Sequence, residues 1–149
     1  MSCNINYASC NIVQEVLKLS QQLENGGAYA HVAHNLESLD LSNKVCVVGA
    51  YLEQLSGRAK KVDNAPPLDR PTRVALAGLR EVLERVHATL EGIQAECQRH
   101  ATRYFHYWRT PDCDPLLVTL KRQAAQLDQR LMLAMQIVAH APTLRARCD

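Results

Sequence analysis

The chain has 149 residues, of which 47% are hydrophobic and 21% charged, a composition typical of one globular domain with a sizeable core. Its formal net charge of +2 is too small to indicate nucleic acid as a partner, because nucleic-acid-binding domains are usually strongly basic. The sequence lacks the run of about eighteen apolar residues that a transmembrane helix needs, and its N-terminus lacks a signal-peptide pattern. We therefore expect a cytoplasmic protein.

Six cysteines lie along the chain, at positions 3, 10, 46, 97, 113 and 148. Small secreted domains use such a number for disulfides, but this chain is long enough to be stabilised by a hydrophobic core. Cys46 and Cys97 fall on apolar helical stretches, where a free thiol behaves as a small hydrophobic side chain. We expect reduced thiols, and the absence of a Cys-x-x-Cys pair argues against a zinc ribbon.

The first two predicted helices run from about residue 4 to 24 and from between residues 30 and 36 to about 62. In the first, apolar residues recur three and four apart, and Gly26 and Gly27 end it, since glycine readily takes the left-handed conformation that closes a helix. Pro66 and Pro67 place a loop after the second, because proline cannot continue a helix. The apolar stripe of the second helix consists of Leu41, Val45, Val48, Leu52, Leu55, Ala59 and Val62.

The third predicted helix runs from Thr72 towards Trp108, and the fourth from about Pro115 to His140, where Pro142 is expected to stop it. An unbroken third helix would be about 55 Å long at 1.5 Å per residue, longer than its neighbours can cover, so we predict a break near residues 98–102. Its apolar stripe consists of Leu76, Leu79, Leu83, Val86, Leu90, Ile93 and Cys97, followed by His100 and Tyr104.

Four apolar stripes joined by short links predict an all-α fold. The expected architecture is an antiparallel up-down-up-down four-helix bundle, with a break or short extra helix near residues 98–110. We expect the bundle to occupy residues 1–141 and a C-terminal tail to occupy residues 142–149.

Patterns that indicate enzymatic chemistry are sparse. A di-iron bundle needs a Glu-x-x-His pair on each of two helices, whereas Glu84 with His87 is a single pair that points away from the apolar stripe. A phosphate-binding glycine loop and a Gly-x-Ser-x-Gly elbow are both absent from the sequence. We predict no catalytic residues, no metal and no cofactor, and hence a protein that is not an enzyme.

Two weaker patterns contain histidine. His31, His34 and Glu37 share one face of a helix but lack an obvious fourth ligand, so a polar helix start explains them. Cys97 and His100 lie on the apolar stripe, where a buried thiol and a hydrogen-bonded imidazole are expected rather than a metal site.

Basic residues concentrate around the link between the second and third predicted helices. In an antiparallel bundle they cluster at one end, where each charge near an anionic lipid surface would contribute about 1 kcal/mol. The alternative is a solvated loop with scattered charges. The residues are Arg58, Lys60, Lys61, Arg70 and Arg73.

An aromatic segment follows the predicted break in the third helix. Such a segment can be a partner or membrane-interface patch, or a hydrophobic lid that seals the end of the bundle. The residues are Tyr104, Phe105, Tyr107 and Trp108.

The second predicted helix begins its stripe as Leu41-x-x-Lys44-Val45, and Arg103-Tyr104-Phe105 precedes the last crossover. With the spacing of the third and fourth stripes, this pattern resembles the N-terminal four-helix-bundle domain of the mixed lineage kinase domain-like proteins. It is also similar to related HeLo-type cell-death bundles of plants and fungi and to the helical adaptor domain of Cbl-type ligases. The resemblance spans roughly residues 36–138.

The resemblance implies a non-enzymatic signalling domain of programmed cell death, of the necroptosis type, that acts in innate immunity. Such a bundle forms homo-oligomers, is recruited from the cytoplasm to anionic phospholipid membranes through basic residues, and permeabilises them. Lys44 matches a basic position of the family and would contact lipid or a partner. An upstream kinase or a following kinase-like domain is the implied protein partner. The alternative is a helical protein-interaction adaptor without membrane activity.

Overall fold

The computed structural model describes residues 4–25, 29–61, 69–102 and 111–146, with side chains for all of these except 4–10, 56–61 and 141–146. Every regular element in these ranges is a helix, so the predicted all-α class is confirmed. None of the helices in these ranges has both the length and the apolar character needed to cross a bilayer. The helices are α1 (Asn4–Asn25), α2 (Ala30–Leu39), α3 (Leu41–Lys61), α4 (Arg70–Ala101) and α5 (Asp114–Ala146).

The second predicted helix is in fact two helices, α2 and α3, so the prediction of one continuous helix is wrong. Asp40 separates them in the left-handed conformation, with φ of 52° and ψ of 36°, which aspartate tolerates better than most residues. The interruption explains how Leu36 and Leu41 are both fully buried. Residues five apart on one continuous helix point in different directions, and the turn at Asp40 brings both side chains into the core.

The ends of α4 and α5 test two further predictions. Helix α4 ends at Ala101, which confirms the break predicted near residues 98–102. Helix α5 continues to Ala146, so the prediction that Pro142 stops it is wrong. Proline removes one backbone hydrogen bond and disfavours the helix by about 3 kcal/mol, but the residues that follow it can still be helical.

Contacts between side chains give the directions of the helices. The Thr89 hydroxyl donates a hydrogen bond to Gln123 Oε1 (2.8 Å), and a Cβ placed on Gly78 would lie 3.1 Å from Arg130 Nη1, so α4 and α5 are antiparallel. Helices α1 and α3 are also antiparallel, because Ser20 hydrogen-bonds to Ser42 (3.1 Å) while Gly49 lies against Val13.

The other two contacting pairs of long helices, α3 with α5 and α1 with α4, are parallel. Lys44 forms an ion pair with Asp128, and the Tyr51 hydroxyl donates to the carbonyl of Ala134, so α3 runs parallel to α5. Helix α1 packs against α4 as well as α3, whereas α3 and α4 scarcely touch within the described ranges. The four long helices, α1, α3, α4 and α5, therefore alternate in direction along the chain. Although α4 follows α3 in the sequence, these two helices occupy opposite corners of the bundle.

The core is aliphatic and draws on every helix. The apolar stripe predicted from Leu76 to His100 is buried along its whole length. Burying each large aliphatic side chain stabilises the fold by about 1.5–3 kcal/mol. The largest fully buried side chains are Val16, Val32, Leu36, Leu41, Val45, Val48, Leu79, Leu83, Leu90, Ile93, Leu120 and Leu127.

The bundle has two ends with different chemistry. At the proximal end, α4 begins while α3 and α5 end. At the distal end, α4 ends and α5 begins, and α2 lies beside them.

Candidate functional site

Two exposed arginines lie at the start of helix α4, at the proximal end. Asp69 is the N-cap residue in an extended conformation (φ −64°, ψ 161°), and Pro71 in the first turn favours a helix start. Arg70 and Arg73 are exposed, and the first turn of α4 contains no acidic residue. Positive charge is unfavourable at the N-terminus of a helix, because the helix dipole is itself positive there. Helix stability therefore does not account for these arginines.

Apolar side chains are exposed at the same end of the bundle. Val74 on α4 is 63% exposed, and on α5 the exposed fractions are 61% for Met132, 45% for Leu133 and 48% for Met135. Gly78 of α4 lies against Arg130 of α5, and the two helices are antiparallel. Val74, one turn before Gly78, is therefore level with the α5 residues around position 134, one turn after Arg130. A helical segment that is apolar on its solvent side as well as its core side is unusual in a soluble bundle.

The exposed residues of α5 cover two flanks of that helix. Arg130 faces α4. Leu133 lies on the same flank of α5 as Arg130, because residues three apart are separated by only about 60° around a helix. Asp128 faces α3, and Met132 and Met135 share that flank. We name this surface the amphipathic patch, which consists of Arg70, Arg73, Val74, Met132, Leu133 and Met135.

The other predicted basic residues divide into two groups. Arg58, Lys60 and Lys61 lie in the last turns of α3, whose backbone runs towards the proximal end, and their side chains fall outside the described residues. Lys44 lies about 20 Å away along α3, at 1.5 Å per residue. Its Nζ is 2.9 Å from a carboxylate oxygen of Asp128, so it joins α3 to α5. Lys44 therefore lies about one helical turn from Met132 of the amphipathic patch, but its charge is paired with a carboxylate.

Tyr104, Phe105, Tyr107 and Trp108 lie outside the described residues, so their role as a patch or a lid stays a prediction.

The histidine and glutamate pairs considered as metal ligands have other partners. The Glu84 carboxylate is 3.1 Å from Arg80 Nε, His87 is 3.1 Å from a Glu91 carboxylate oxygen, and His31 Nε2 is 3.1 Å from Asp114. In the part of the chain that the structure describes, three or more His, Cys, Asp or Glu side chains are nowhere grouped to hold a metal ion.

A buried polar cluster lies at the distal end. Cys97 and His100 come from the last two turns of α4, Cys113 directly precedes α5, and Tyr29 directly precedes α2. The Tyr29 hydroxyl donates to the carbonyl of Cys97 (2.9 Å), and its ring meets the His100 ring edge-on at 5.6 Å. Leu117 N–H donates to the carbonyl of Cys113 (2.8 Å), which fixes that residue at the start of α5.

Burial dominates the electrostatics of this cluster. It raises the pKa of the Cys97 thiol and, together with the neighbouring Cys97, raises the pKa of Cys113 to about 12. Burial also raises the pKa of Tyr29. All three groups are therefore neutral at physiological pH.

His100 is the least satisfied side chain in the cluster. Its predicted burial is confirmed, at 3% exposure, but neither ring nitrogen has a hydrogen-bond partner among the described residues. A hydrogen-bonded imidazole was expected. The sequence also gave no signal that Cys113 would join Cys97 and His100, because that contact depends on how the chain crosses from α4 to α5.

The comparisons with known proteins give one relative. A protein of Acanthamoeba polyphaga mimivirus, named Uncharacterized protein L717, is 24% identical to this chain over 133 residues. The match covers 74% of this chain and 63% of the viral protein, so the chain spans less than two thirds of that relative's length. The chain matches no protein-family model and no solved structure. The resemblance to cell-death bundles therefore stays a prediction.

Proposed function

We propose that this chain is a non-enzymatic signalling bundle that binds anionic phospholipid membranes peripherally and self-associates there, as cell-death bundles do. The observation that carries the proposal is the amphipathic patch, in which two exposed arginines and four exposed apolar side chains lie at the same end of the bundle. Peripheral membrane proteins combine these two ingredients, since cations meet the headgroups while apolar side chains enter the interface.

The expected affinity is moderate. Each cation close to an anionic leaflet contributes about 1 kcal/mol, so Arg70 and Arg73 supply about 2 kcal/mol. The basic residues at the end of α3 would add a similar amount. A side chain such as Met135, already half buried, gains up to about 1 kcal/mol when its exposed part enters an apolar phase. The sum corresponds to reversible binding that weakens as salt screens the charges.

Self-association rests on the resemblance to cell-death bundles. Two-dimensional concentration on a membrane would favour it, because bound copies meet at high local concentration. Size-exclusion chromatography with and without anionic vesicles measures this step separately from binding.

Vesicle co-sedimentation tests the membrane proposal. The full chain should sediment with vesicles of phosphatidylcholine and phosphatidylserine at low salt, and much less with phosphatidylcholine alone. Arg70→Glu with Arg73→Glu should reduce binding at least tenfold. The matched control is Lys121→Glu with Arg122→Glu, which makes the same charge change at exposed residues of α5 outside the patch and should reduce it less.

A protein-interaction adaptor is the second candidate function. Methionine and arginine are enriched where proteins contact one another, so the same patch has the composition of a protein interface. Absence of binding to anionic vesicles at low salt would overturn the membrane proposal and favour the adaptor.

A further inference from the structure

The junction between α2 and α3 is a sharp bend made by one residue. Asp40 is the only residue other than glycine that has a positive φ in the described part of the chain. A left-handed backbone is unfavourable for residues with a Cβ, and helices that end in this way usually place glycine at that position. Neither glycine nor proline occurs between Ala30 and Val48, so the local sequence does not require a bend.

A continuous helix through Asp40 would improve the local backbone. At the bend, the Asp40 N–H donates to the carbonyl of Glu37 (3.0 Å), and the Lys44 N–H donates to the carbonyl of Asp40 (3.1 Å). The last carbonyls of α2 and the first N–H groups of α3 lack helical partners, as they do at every helix end. A change of Asp40 to the right-handed helical conformation would bring α2 into line with α3 and pair these groups. Local energetics therefore favour a straight helix.

The packing of the closed bundle opposes this change. Val32 and Leu36 on α2 are buried, and Leu36 is fully buried together with Leu41 at the start of α3. If one chain straightened by itself, α2 would leave the distal end and expose Val32 and Leu36 to water. Burial of two aliphatic side chains outweighs the strain of one residue, so an open monomer is unstable. A straight α2–α3 helix therefore needs another molecule to cover these side chains.

We propose that a second copy of this chain provides that cover, and that the two copies exchange α1 and α2 through the hinge at Asp40. Helix α1 moves with α2, because the two helices pack on each other. In the exchanged dimer, α1 and α2 of one copy occupy their usual places on α3, α4 and α5 of the other. The core stays buried while both hinges lose their strain, and strained short hinges are known to favour such exchange.

The exchange deepens the proposed function, since it rests on the self-association proposed there and names the segment responsible. The exchanged segment makes contacts that identify it. Ser20 on α1 hydrogen-bonds to Ser42 on α3 (3.1 Å), and the Tyr29 hydroxyl donates to the carbonyl of Cys97 on α4 (2.9 Å). These contacts lie within one chain in the monomer and between chains in the dimer. Because the exchange must break all of them, monomer and dimer interconvert slowly and can be separated.

Two substitutions at the hinge test the proposal in the full chain without lipid. Asp40→Gly accepts the left-handed backbone and should raise the dimer dissociation constant about tenfold, whereas Asp40→Ala favours the straight helix and should lower it about tenfold. Both lose the contact between the Asp40 carboxylate and Asn43 Nδ2 (3.1 Å), so each variant is the matched control of the other. Size-exclusion chromatography with light scattering, after incubation at high protein concentration, measures the dimer fraction.

Cross-linking distinguishes an exchanged dimer from a pair of closed bundles. The Ser20 and Ser42 hydroxyls are close enough that Ser20→Cys with Ser42→Cys should form a disulfide on oxidation. In the Asp40→Ala chain, oxidation of the monomer fraction should link α1 to α3 within one chain. Oxidation of the dimer fraction should give a covalent dimer on a non-reducing gel. The Asp40→Ala chain without the two introduced cysteines is the control for the native thiols.

The outcomes separate this inference from the proposed function. Equal dimer fractions in Asp40→Gly and Asp40→Ala would overturn the hinge, and dimers that link only within chains would overturn the exchange. A chain that stays monomeric in every variant would also overturn it. Membrane binding is measured by vesicle co-sedimentation through the amphipathic patch, at the other end of the bundle. Self-association on vesicles without any exchanged dimer would therefore leave the proposed function standing.

Discussion

The close approach of α1 to α3 gives a prediction in which two similar substitutions have opposite effects. A Cβ placed on Gly49 would lie 2.9 Å from Val13 Cγ1, closer than real carbon atoms approach, whereas a Cβ on Gly92 would lie 3.6 Å from the Leu116 methyl groups, in ordinary contact. Val13 is 3% exposed and β-branched, so its side chain has little freedom to move aside. The perturbations are Gly49→Ala and Gly92→Ala.

Both substitutions remove backbone freedom from the unfolded chain and favour the helix by about 1 kcal/mol. Gly92→Ala should therefore raise the free energy of unfolding by up to about 1 kcal/mol. Overpacking at Gly49 costs about 1–3 kcal/mol, so Gly49→Ala should lower the free energy of unfolding by up to about 2 kcal/mol. The difference between the two variants isolates the contact between α1 and α3.

Urea unfolding followed by far-UV circular dichroism measures both variants. Val13→Ala combined with Gly49→Ala should recover stability relative to the sum of the single changes, because the smaller side chain makes room for the new methyl group. Equal stabilisation by Gly49→Ala and Gly92→Ala would refute the placement of α1 against α3.

Two further predictions concern buried groups. Thr89→Val removes the hydroxyl that lies 2.8 Å from the buried Gln123 Oε1, so it should lower the free energy of unfolding in urea by about 1–3 kcal/mol. Combining Thr89→Val with Gln123→Leu should lower it by less, because the double variant leaves no buried acceptor without a partner. Equal losses of stability in the single and double variants would contradict a shared hydrogen bond. Burial raises the pKa of Cys113 from 9.0 to about 12, so the folded state keeps a proton that the unfolded state loses. The free energy of unfolding should therefore fall as the pH rises above 9.0, and fall less steeply in Cys113→Ala; identical slopes would show that Cys113 is not buried as a thiol.

The periodicity of apolar residues predicted much of the bundle. The stripe from Leu76 to His100 is buried as expected, and its length correctly indicated that α4 ends near Ala101. The turn at Asp40 was missed, because local sequence favours helix on both sides and only the burial of Leu36 together with Leu41 requires an interruption. Burial of that kind depends on tertiary packing.

The candidate sites were less predictable than the helices. Arg70 and Arg73 were identified from their charge alone, whereas Met132 and Met135 were not predicted to belong to a site, and their exposure is seen only in the packing of α5. Cys113 had no sequence signal at all. Contacts such as these join residues distant in the chain, and periodicity contains no information about them.

The most direct test of the membrane proposal is to ask which end of α5 meets the lipid. Met135→Trp and Val118→Trp, each in a Trp108→Phe background, place a single tryptophan at exposed α5 positions inside and outside the amphipathic patch. On addition of phosphatidylserine-containing vesicles, the emission of the Met135→Trp protein should shift to shorter wavelength and that of the Val118→Trp protein should not. A shift confined to Val118→Trp, or equal shifts in both proteins, would contradict membrane binding through the patch.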